Sequence, residues 1–365
     1  MSTMQAYRGF EGEEEPRLVE MAVPTFGDDD VLIKVESAGL TAGTFTLLRV
    51  GMLRPLPMTL GHEGAGIVTA VGRDVRGIAP GNRVRIHPTL TCGRCRYCLS
   101  DRDQMCRGVA MMGFVSFGQP VEAYRRYHNG FMAEYVIAPQ RQVDLLPDNV
   151  SFDVGAKLHY LGNANRVLKI AQLPPASTLG ILGATGSMAV ATIKMAPFFG
   201  VERLVLIGRS TQRLEEVKAL TDLLVDIVAT DTLEDDWEQN DGLGRRMVQI
   251  VPAGVDAMID YLPAGGNMWQ AVVSGLATGG TLVNMGGGTE PFSAPMRLMV
   301  AKCWRVVGTR NQSRLDALEA LRLLANGRLE VDKLITHVRP LAEVKEAVAT
   351  LQSREEPVWM SVVHP

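Results

Sequence analysis

The chain has 365 residues, enough for two ordinary domains. Hydrophobic residues make up 46% and charged residues 21%, and 37 basic against 40 acidic residues give a formal charge of −3. That near-balance points away from a nucleic-acid or anionic-membrane partner. No run approaches the roughly 20 apolar residues that span a bilayer. The first twenty residues turn acidic without an apolar signal core, so a cytoplasmic protein is expected.

In chain order, VLIKVES (31–37), AGIVTAVG (65–72) and NRVRIHP (82–88) read as strands broken by Gly and Pro, which makes the first 150 residues a mostly β, barrel-like region. Near residue 155 the pattern changes. STLGILGA (177–184) leads into MAVATIKMAPFF (188–199), and LVLIG (204–208) leads into TQRLEEVKAL (211–220). VDAMIDYL (255–262) and GTLVNMG (280–286) follow. Strand–helix alternation of this kind predicts a parallel sheet covered on both faces. A helical stretch, SRLDALEALRLLANG (313–327), precedes a β-like tail, VWMSVV (358–363).

Four of the five cysteines, Cys92, Cys95, Cys98 and Cys106, fall within fifteen residues in a C-x2-C-x2-C-x7-C spacing. Thiolates suit tetrahedral zinc, and four of them close its coordination sphere, so one structural zinc ion is expected. Free or redox-active thiols are the plain alternative, and the usual iron–sulfur spacings differ. Cys303, alone, reads as a buried small hydrophobe.

The run GNRVRIHPTLTCGRCRYCLSDRDQMC (81–106), PMTLGHEGAGIVTAVG (57–72) and GFMAEYVI (130–137) resemble the zinc-containing alcohol dehydrogenases of the medium-chain dehydrogenase/reductase superfamily. The resemblance implies an α/β protein. A GroES-like β-rich catalytic domain would comprise 1–160 and 306–365, with its structural-zinc lobe at 92–106. A Rossmann domain with a doubly wound parallel sheet would comprise 161–305. It also implies a homodimer or homotetramer acting on a small-molecule substrate, and the apolar strand 280–286 with PFSAPMRLMVAK after it is the candidate interface.

At the end of the strand STLGILG the chain reads Gly183-Ala184-Thr185-Gly186-Ser187-Met188-Ala189. Small residues at a strand-to-helix turn let backbone N–H groups approach a pyrophosphate, although Thr185 and Met188 stand where a G-x-G-x-x-G motif has glycine. The second strand ends in Gly208-Arg209-Ser210 where an NAD-selective site usually has a carboxylate. Arg209, with Arg213 one turn later, can form charge-assisted bonds to a 2′-phosphate, so NADPH is expected over NADH. Met285, Gly286 and Gly287 are expected to border the nicotinamide, and the resemblance adds Asn163 to the cofactor residues.

The catalytic zinc ligands implied by the resemblance are incomplete. His62 and Glu63 match its Gly-His-Glu, but the first ligand position falls on Thr41, whose hydroxyl is a poor zinc ligand. The third falls on His159, and the proton-relay positions read Gly43 and Thr44. Three readings stay open. Thr41, His62, His159 and Tyr160 could orient substrate or donate a proton without metal, with a conjugated C=C, a quinone, an iminium ion or a related carbonyl reduced by NADPH. His62, His159 and Glu63 could instead hold zinc in a rearranged alcohol or aldehyde dehydrogenase site. The protein could also bind or sense NADPH without turnover. Around these residues, MMGFVSFGQPVEAYRRYHNG (111–130) reads as a lid or a surface loop. His87 is expected to pack beside the cysteine lobe, and His128, His337 and His364 to lie at the surface.

Overall fold

The computed structural model describes residues 2–263, 268–288, 291, 294, 296–353 and 355–365. The chain divides into two compact units, Met1–His159 with Ser313–Pro365, and Tyr160–Gln312. The expected return to the first unit at 306 is therefore moved to Ser313. The reason is the strand Arg305–Gly308, which pairs in parallel with Leu276–Asn284 and so belongs to the second unit.

The first unit is built on a seven-stranded sheet. Val143–Leu145, Arg83–Ile86, Gly64–Val71, Asp30–Leu40, Met360–His364 and Ile335–Pro340 lie in that order, and Tyr135–Pro139 also pairs with Asp30–Leu40. All these pairings are antiparallel except the last, between Met360–His364 and Ile335–Pro340. Asp30–Leu40 can hold three neighbours because it runs eleven residues. Its alternate Val31, Ile33 and Val35 are fully buried, the period-2 pattern of a strand on a core. A three-stranded sheet, Arg17–Ala22, Thr3–Gly9 and Met58–Thr59, and a two-stranded one, Thr89–Leu90 with Ala110–Met111, also belong to this β-rich unit. The segment 111–130 is packed rather than lid-like at its centre. Tyr124 in the short helix Ala123–Tyr127 is buried and its hydroxyl donates to Arg54 O at 3.0 Å, while Arg126 and Tyr127 both hold the buried Asp30 carboxylate.

The second unit is a six-stranded, all-parallel sheet. Across it run Leu224–Ala229, Val201–Gly208, Ser177–Leu182, Val255–Asp260, Leu276–Asn284 and Arg305–Gly308, the 3-2-1-4-5-6 order of a dinucleotide-binding doubly wound fold. Its core gathers Leu182, Val205, Ile207, Met247, Met258 and Leu282, among others. Cys303 is exposed here, with φ 51, which corrects the expectation of burial: it ends a turn after the helix Met296–Lys302 and points away from the core. No helix among the described residues is long and apolar enough to cross a membrane.

A twenty-residue helix, Phe152–Ala171, begins in one unit and ends in the other. Ser151 Oγ accepts the Val154 N–H at 3.2 Å at its start. Its polar Lys157, His159, Asn163 and Asn165 are as buried as its Leu158 and Leu161, so it presents no amphipathic stripe.

Candidate functional site

Thr89–Leu90 and Ala110–Met111 pair at the base of the cysteine lobe, and the chain between them forms two single turns, Cys98–Ser100 and Asp103–Met105. The four sulfurs lie within 4.8 Å of one another. Cys95 Sγ is 3.5 Å from Cys98 Sγ, and Cys92 Sγ is 3.9 Å from it. Zinc bonds of ~2.3 Å in tetrahedral geometry put sulfurs about 3.8 Å apart, so this cage has the dimensions of a zinc tetrathiolate. Backbone N–H groups, of Arg94 above all, lower the Cys92 thiol to about 6, and that of Cys98 lowers Cys95. Burial raises Cys98 and Cys106. Two ligands thus favour the thiolate in advance, and the residues fit a closed structural site.

The lobe has no core of its own: Leu99 is 74% exposed. It is tied down by polar contacts instead. Asp103 Oδ1 accepts the Arg314 N–H at 3.2 Å, and Arg141 Nη2 donates to Thr91 O at 3.3 Å. Asp144 is clasped between the buried Arg85, at 2.6 Å, and Arg314. His87 is buried beside this network, with Nε2 3.9 Å from Asp103 Oδ2 and neither ring nitrogen in a hydrogen bond. Burial, then Arg85, drives its basicity far down.

A second polar cluster forms within the first unit. Thr41 closes the long strand and stands just before the helix Ala42–Arg49, while His62 and Glu63 precede the strand Gly64–Val71. His159 faces His62 edge to face at 5.1 Å between ring centroids, and Phe114 packs on His62 at 4.4 Å. All of these polar groups except Thr41 are at most 5% exposed. Burial, with His159 and Lys157 adding to it, pushes His62 well below its ordinary value. Burial and Lys157 take His159 down to about 3, so both imidazoles are neutral near pH 7.

Sequence reasoning missed the partner at the centre of this cluster. Lys157 Nζ lies 2.5 Å from Glu63 Oε2 and donates to Leu40 O at 3.1 Å, with both charged side chains at most 1% exposed. Burial pushes the carboxyl up and the ammonium down, and each partner opposes the shift in the other. Thr41 also lowers Glu63, though without hydrogen-bond geometry; Thr41 Oγ1, Glu63 Oε1 and His62 Nδ1 are buried without a partner. Gly39 makes room for the pair, because a Cβ there would fall on the Glu63 carboxylate and meet Lys157 Cδ at 3.0 Å. Gly39→Ala is expected to destabilise the chain by roughly 1–3 kcal/mol, the usual range for overpacking, read by urea unfolding. Among the described residues, the cysteine lobe is the only group of three or more His, Cys, Asp or Glu side chains whose ligand atoms converge this closely. His62, Glu63 and His159 do not.

Tyr160 and Asn163 continue the long helix into the second unit, where Asn163 Nδ2 contacts Met188 Sδ at 3.6 Å and its Oδ1 is buried without a partner. Gly183 ends the first strand at φ 73, a left-handed conformation that favours glycine. Its N–H and that of Ala184 are held by Ile207 O at 3.0 and 3.1 Å. Gly186 caps the helix Ser187–Met195 with no side-chain hydrogen bond, which leaves the first-turn N–H groups past Thr185 open to a phosphate. Met188 sits in that first turn, partly buried.

At the second strand end Gly208 is buried and Arg209 exposed. Ser210 caps the helix Thr211–Lys218 by accepting the Arg213 N–H at 3.5 Å. A carboxylate does stand nearby, unforeseen: Asp231 accepts from Thr211 N at 2.8 Å and Thr211 Oγ1 at 2.6 Å. Met285 N donates to Asp260 O at 3.1 Å and Gly287 N to Leu262 O at 2.9 Å, so Met285, Gly286 and Gly287 line adjacent parallel strand ends. Asp260, buried and also unforeseen, accepts from Leu262 N and Asn284 Nδ2, both at 2.9 Å, which fixes those ends.

A GroES-like β unit joined to a doubly wound parallel sheet is the architecture of a nicotinamide-dependent dehydrogenase, and the comparisons agree. Residues 27–148 match the alcohol dehydrogenase GroES-like domain. The chain is 30% identical over 349 residues to an NAD-dependent alcohol dehydrogenase of Sulfolobus acidocaldarius, covering 93% of each chain. It is 27% identical to an L-idonate 5-dehydrogenase of Vitis vinifera, over 86% of this chain and 82% of that one. Among solved structures, a zinc-binding dehydrogenase target from Sinorhizobium meliloti bound to NADP superposes with a TM-score of 0.84 at 25% identity. A cobalt- and zinc-bound alcohol dehydrogenase from Pyrobaculum aerophilum does so with 0.82 at 25%, and both structures are covered in full along with this chain. The chain belongs to the zinc-containing alcohol dehydrogenase-like family of the medium-chain dehydrogenase/reductase superfamily, and is an oxidoreductase of that family.

Proposed function

We propose that the chain is an NADPH-dependent reductase that delivers hydride to an activated C=C bond, a quinone, an iminium ion or a related carbonyl, with no catalytic zinc. The observation that carries this reading is the Lys157–Glu63 pair beside His62, where the family's metal-site residues fall. Zinc would stabilise alkoxide charge as a Lewis acid. Substrates that spread the developing charge themselves depend less on that help.

NADPH, when bound, supplies the hydride. Gly183, Thr185, Gly186 and Ser187 offer the turn and helix N-terminus for its pyrophosphate, and Arg209 offers a guanidinium for the 2′-phosphate. In the first unit the neutral His62 and His159 serve as hydrogen-bonding groups, and the Thr41 hydroxyl, which lacks a partner, can orient a substrate oxygen. Tyr160 is the remaining candidate to deliver the proton that balances the hydride.

Two measurements test this together: zinc per chain, and NADPH oxidation with enals, quinones and ketones in parallel. One zinc per chain and turnover of enals or quinones support the reading. Two zinc ions, with activity lost when the more labile one is removed, sink it. The second reading, a zinc-catalysed alcohol or aldehyde dehydrogenase with altered ligands, draws on the close His62–His159 pair, and chelator-sensitive alcohol oxidation would establish it. Arg209→Ala is expected to lower kcat/KM for NADPH at least tenfold while leaving NADH within about threefold, the response of a charge-assisted phosphate contact. An equal loss with both cofactors would remove Arg209 from the 2′-phosphate.

The reading extends to assembly and location. Met296 and Val300, 75% and 74% exposed one helical turn apart, support self-association through this face, and the edge strand Arg305–Gly308 lies in the same unit. Four metal-binding thiols without a disulfide suit a reducing cytoplasm.

A further inference from the structure

We propose that Lys157 is a built-in cation that keeps a divalent metal ion out of the His62–His159 cluster, by occupying Glu63 and placing a fixed positive charge beside both imidazoles. This deepens the zinc-free reading above and rests on it. Two imidazoles and a carboxylate are a sufficient catalytic zinc set in composition. All three are buried, and His62 Nδ1 and Glu63 Oε1 lack partners. What the cluster lacks is convergence, since the three ligand atoms are not gathered as the cysteine sulfurs are.

Lys157 accounts for this. Its ammonium takes Glu63 Oε2 at 2.5 Å, and Leu40 O, 3.1 Å away, fixes it from a second side. Rotating Glu63 toward a metal would take the carboxylate partner from a buried ammonium and leave it the neutral Leu40 O, in surroundings that screen charge poorly. The ion itself would repel the lysine at short range. The backbone is fitted to the pair, because any side chain at Gly39 would collide with the Glu63 carboxylate. Thr41 adds a weak ligand but does not impose the exclusion, because its hydroxyl leaves the charge balance unchanged.

The test counts metal in the full-length chain after reconstitution with cobalt(II) and desalting. In the wild type and Lys157→Met, thiolate-to-cobalt charge transfer marks the cysteine lobe, whereas a His/carboxylate site gives ligand-field bands alone; in Thr41→Cys the metal count alone is read. The wild type is expected to hold one equivalent. Lys157→Met, which frees Glu63 without much change in volume, is expected to hold two, and the added equivalent is expected to vanish in Lys157→Met/His62→Ala. Thr41→Cys, which supplies a soft ligand but keeps the lysine, is expected to stay at one. A folded, NADPH-binding Lys157→Met protein that stays at one equivalent would overturn the role of Lys157 and leave the zinc-free reading standing. A second equivalent in Thr41→Cys would overturn it too, and that variant decides the matter if Lys157→Met does not fold. Two equivalents in the wild type would overturn both the inference and the reading beneath it.

Discussion

Cys98→Ser is expected to release zinc from the lobe and to lower the unfolding free energy by several kcal/mol. A structural zinc site contributes about 10–16 kcal/mol of apparent binding free energy at neutral pH, comparable with the ~5–15 kcal/mol net stability of a domain. Serine keeps three thiolates in place, so the loss falls short of the full figure. The effect is local first. Residues 92–106 have little apolar packing to hold them, with Leu99 and Met105 exposed and only Cys106 and Gln104 buried. Arg94, Arg96 and Arg102 lie on this stretch. The checks are zinc content, tryptic cleavage at those arginines, and the thermal midpoint. Cleavage should accelerate well before the parallel-sheet unit loses its far-UV signal. A variant that keeps its zinc and its protease resistance would refute the structural assignment.

The second large effect is acid sensitivity. His62, His87 and His159 are buried and held neutral, with folded values far below their ordinary 6.5. Below that ordinary value the unfolded chain takes up protons that the folded chain refuses, so stability falls as pH drops through this window. It is retained above it. Each such imidazole contributes a slope of about 1.4 kcal/mol per pH unit once its unfolded form is charged. Glu63, raised by burial, works in the opposite sense above its ordinary value of 4.5. The three imidazoles together set a ceiling of about 4 kcal/mol per pH unit near pH 5–6, from which Glu63 and the buried Asp103 and Asp260, raised in the same way, subtract. Urea unfolding at half-unit steps between pH 5 and 8 gives the slope. His87→Gln, which lies outside the His62 cluster, should reduce it by about 1.4 kcal/mol per pH unit; an unchanged slope would mean that His87 is not held neutral.

The legible parts of this molecule were those with short-range signatures. The cysteine spacing, the alternation in Asp30–Leu40 and the glycine turn at Gly183 each follow from neighbours within a few residues. So does the parallel sheet, because each strand is followed by a helix. The helix Phe152–Ala171 was not legible: buried on all sides, it carries polar residues inward among leucines and shows no stripe. Lys157 was hidden for the same reason. A lysine in a divergent segment reads as solvent-facing until Glu63, 94 residues earlier, is brought to 2.5 Å. Asp260 and Asp231 were invisible because their roles depend on adjacent strand ends and on Thr211. His337 and His364, expected at the surface, pair with Glu356 at 3.0 Å and Asp153 at 2.7 Å, contacts that only the tertiary fold supplies.

The placement of Met360–His364 carries a consequence for biogenesis. This strand is interior to the first unit's sheet, flanked by Asp30–Leu40 on one side and Ile335–Pro340 on the other. Domains emerging from the ribosome fold as units in order of synthesis. Here the parallel-sheet unit, residues 160–312, can close while the first unit still lacks an inner strand. Tyr135–Pro139 covers residues 30–34 early, but residues 38–40 on the same edge must wait until translation has passed residue 363. During that interval the open edge at residues 38–40 is free to pair with another copy, and a chaperone would have something to protect there.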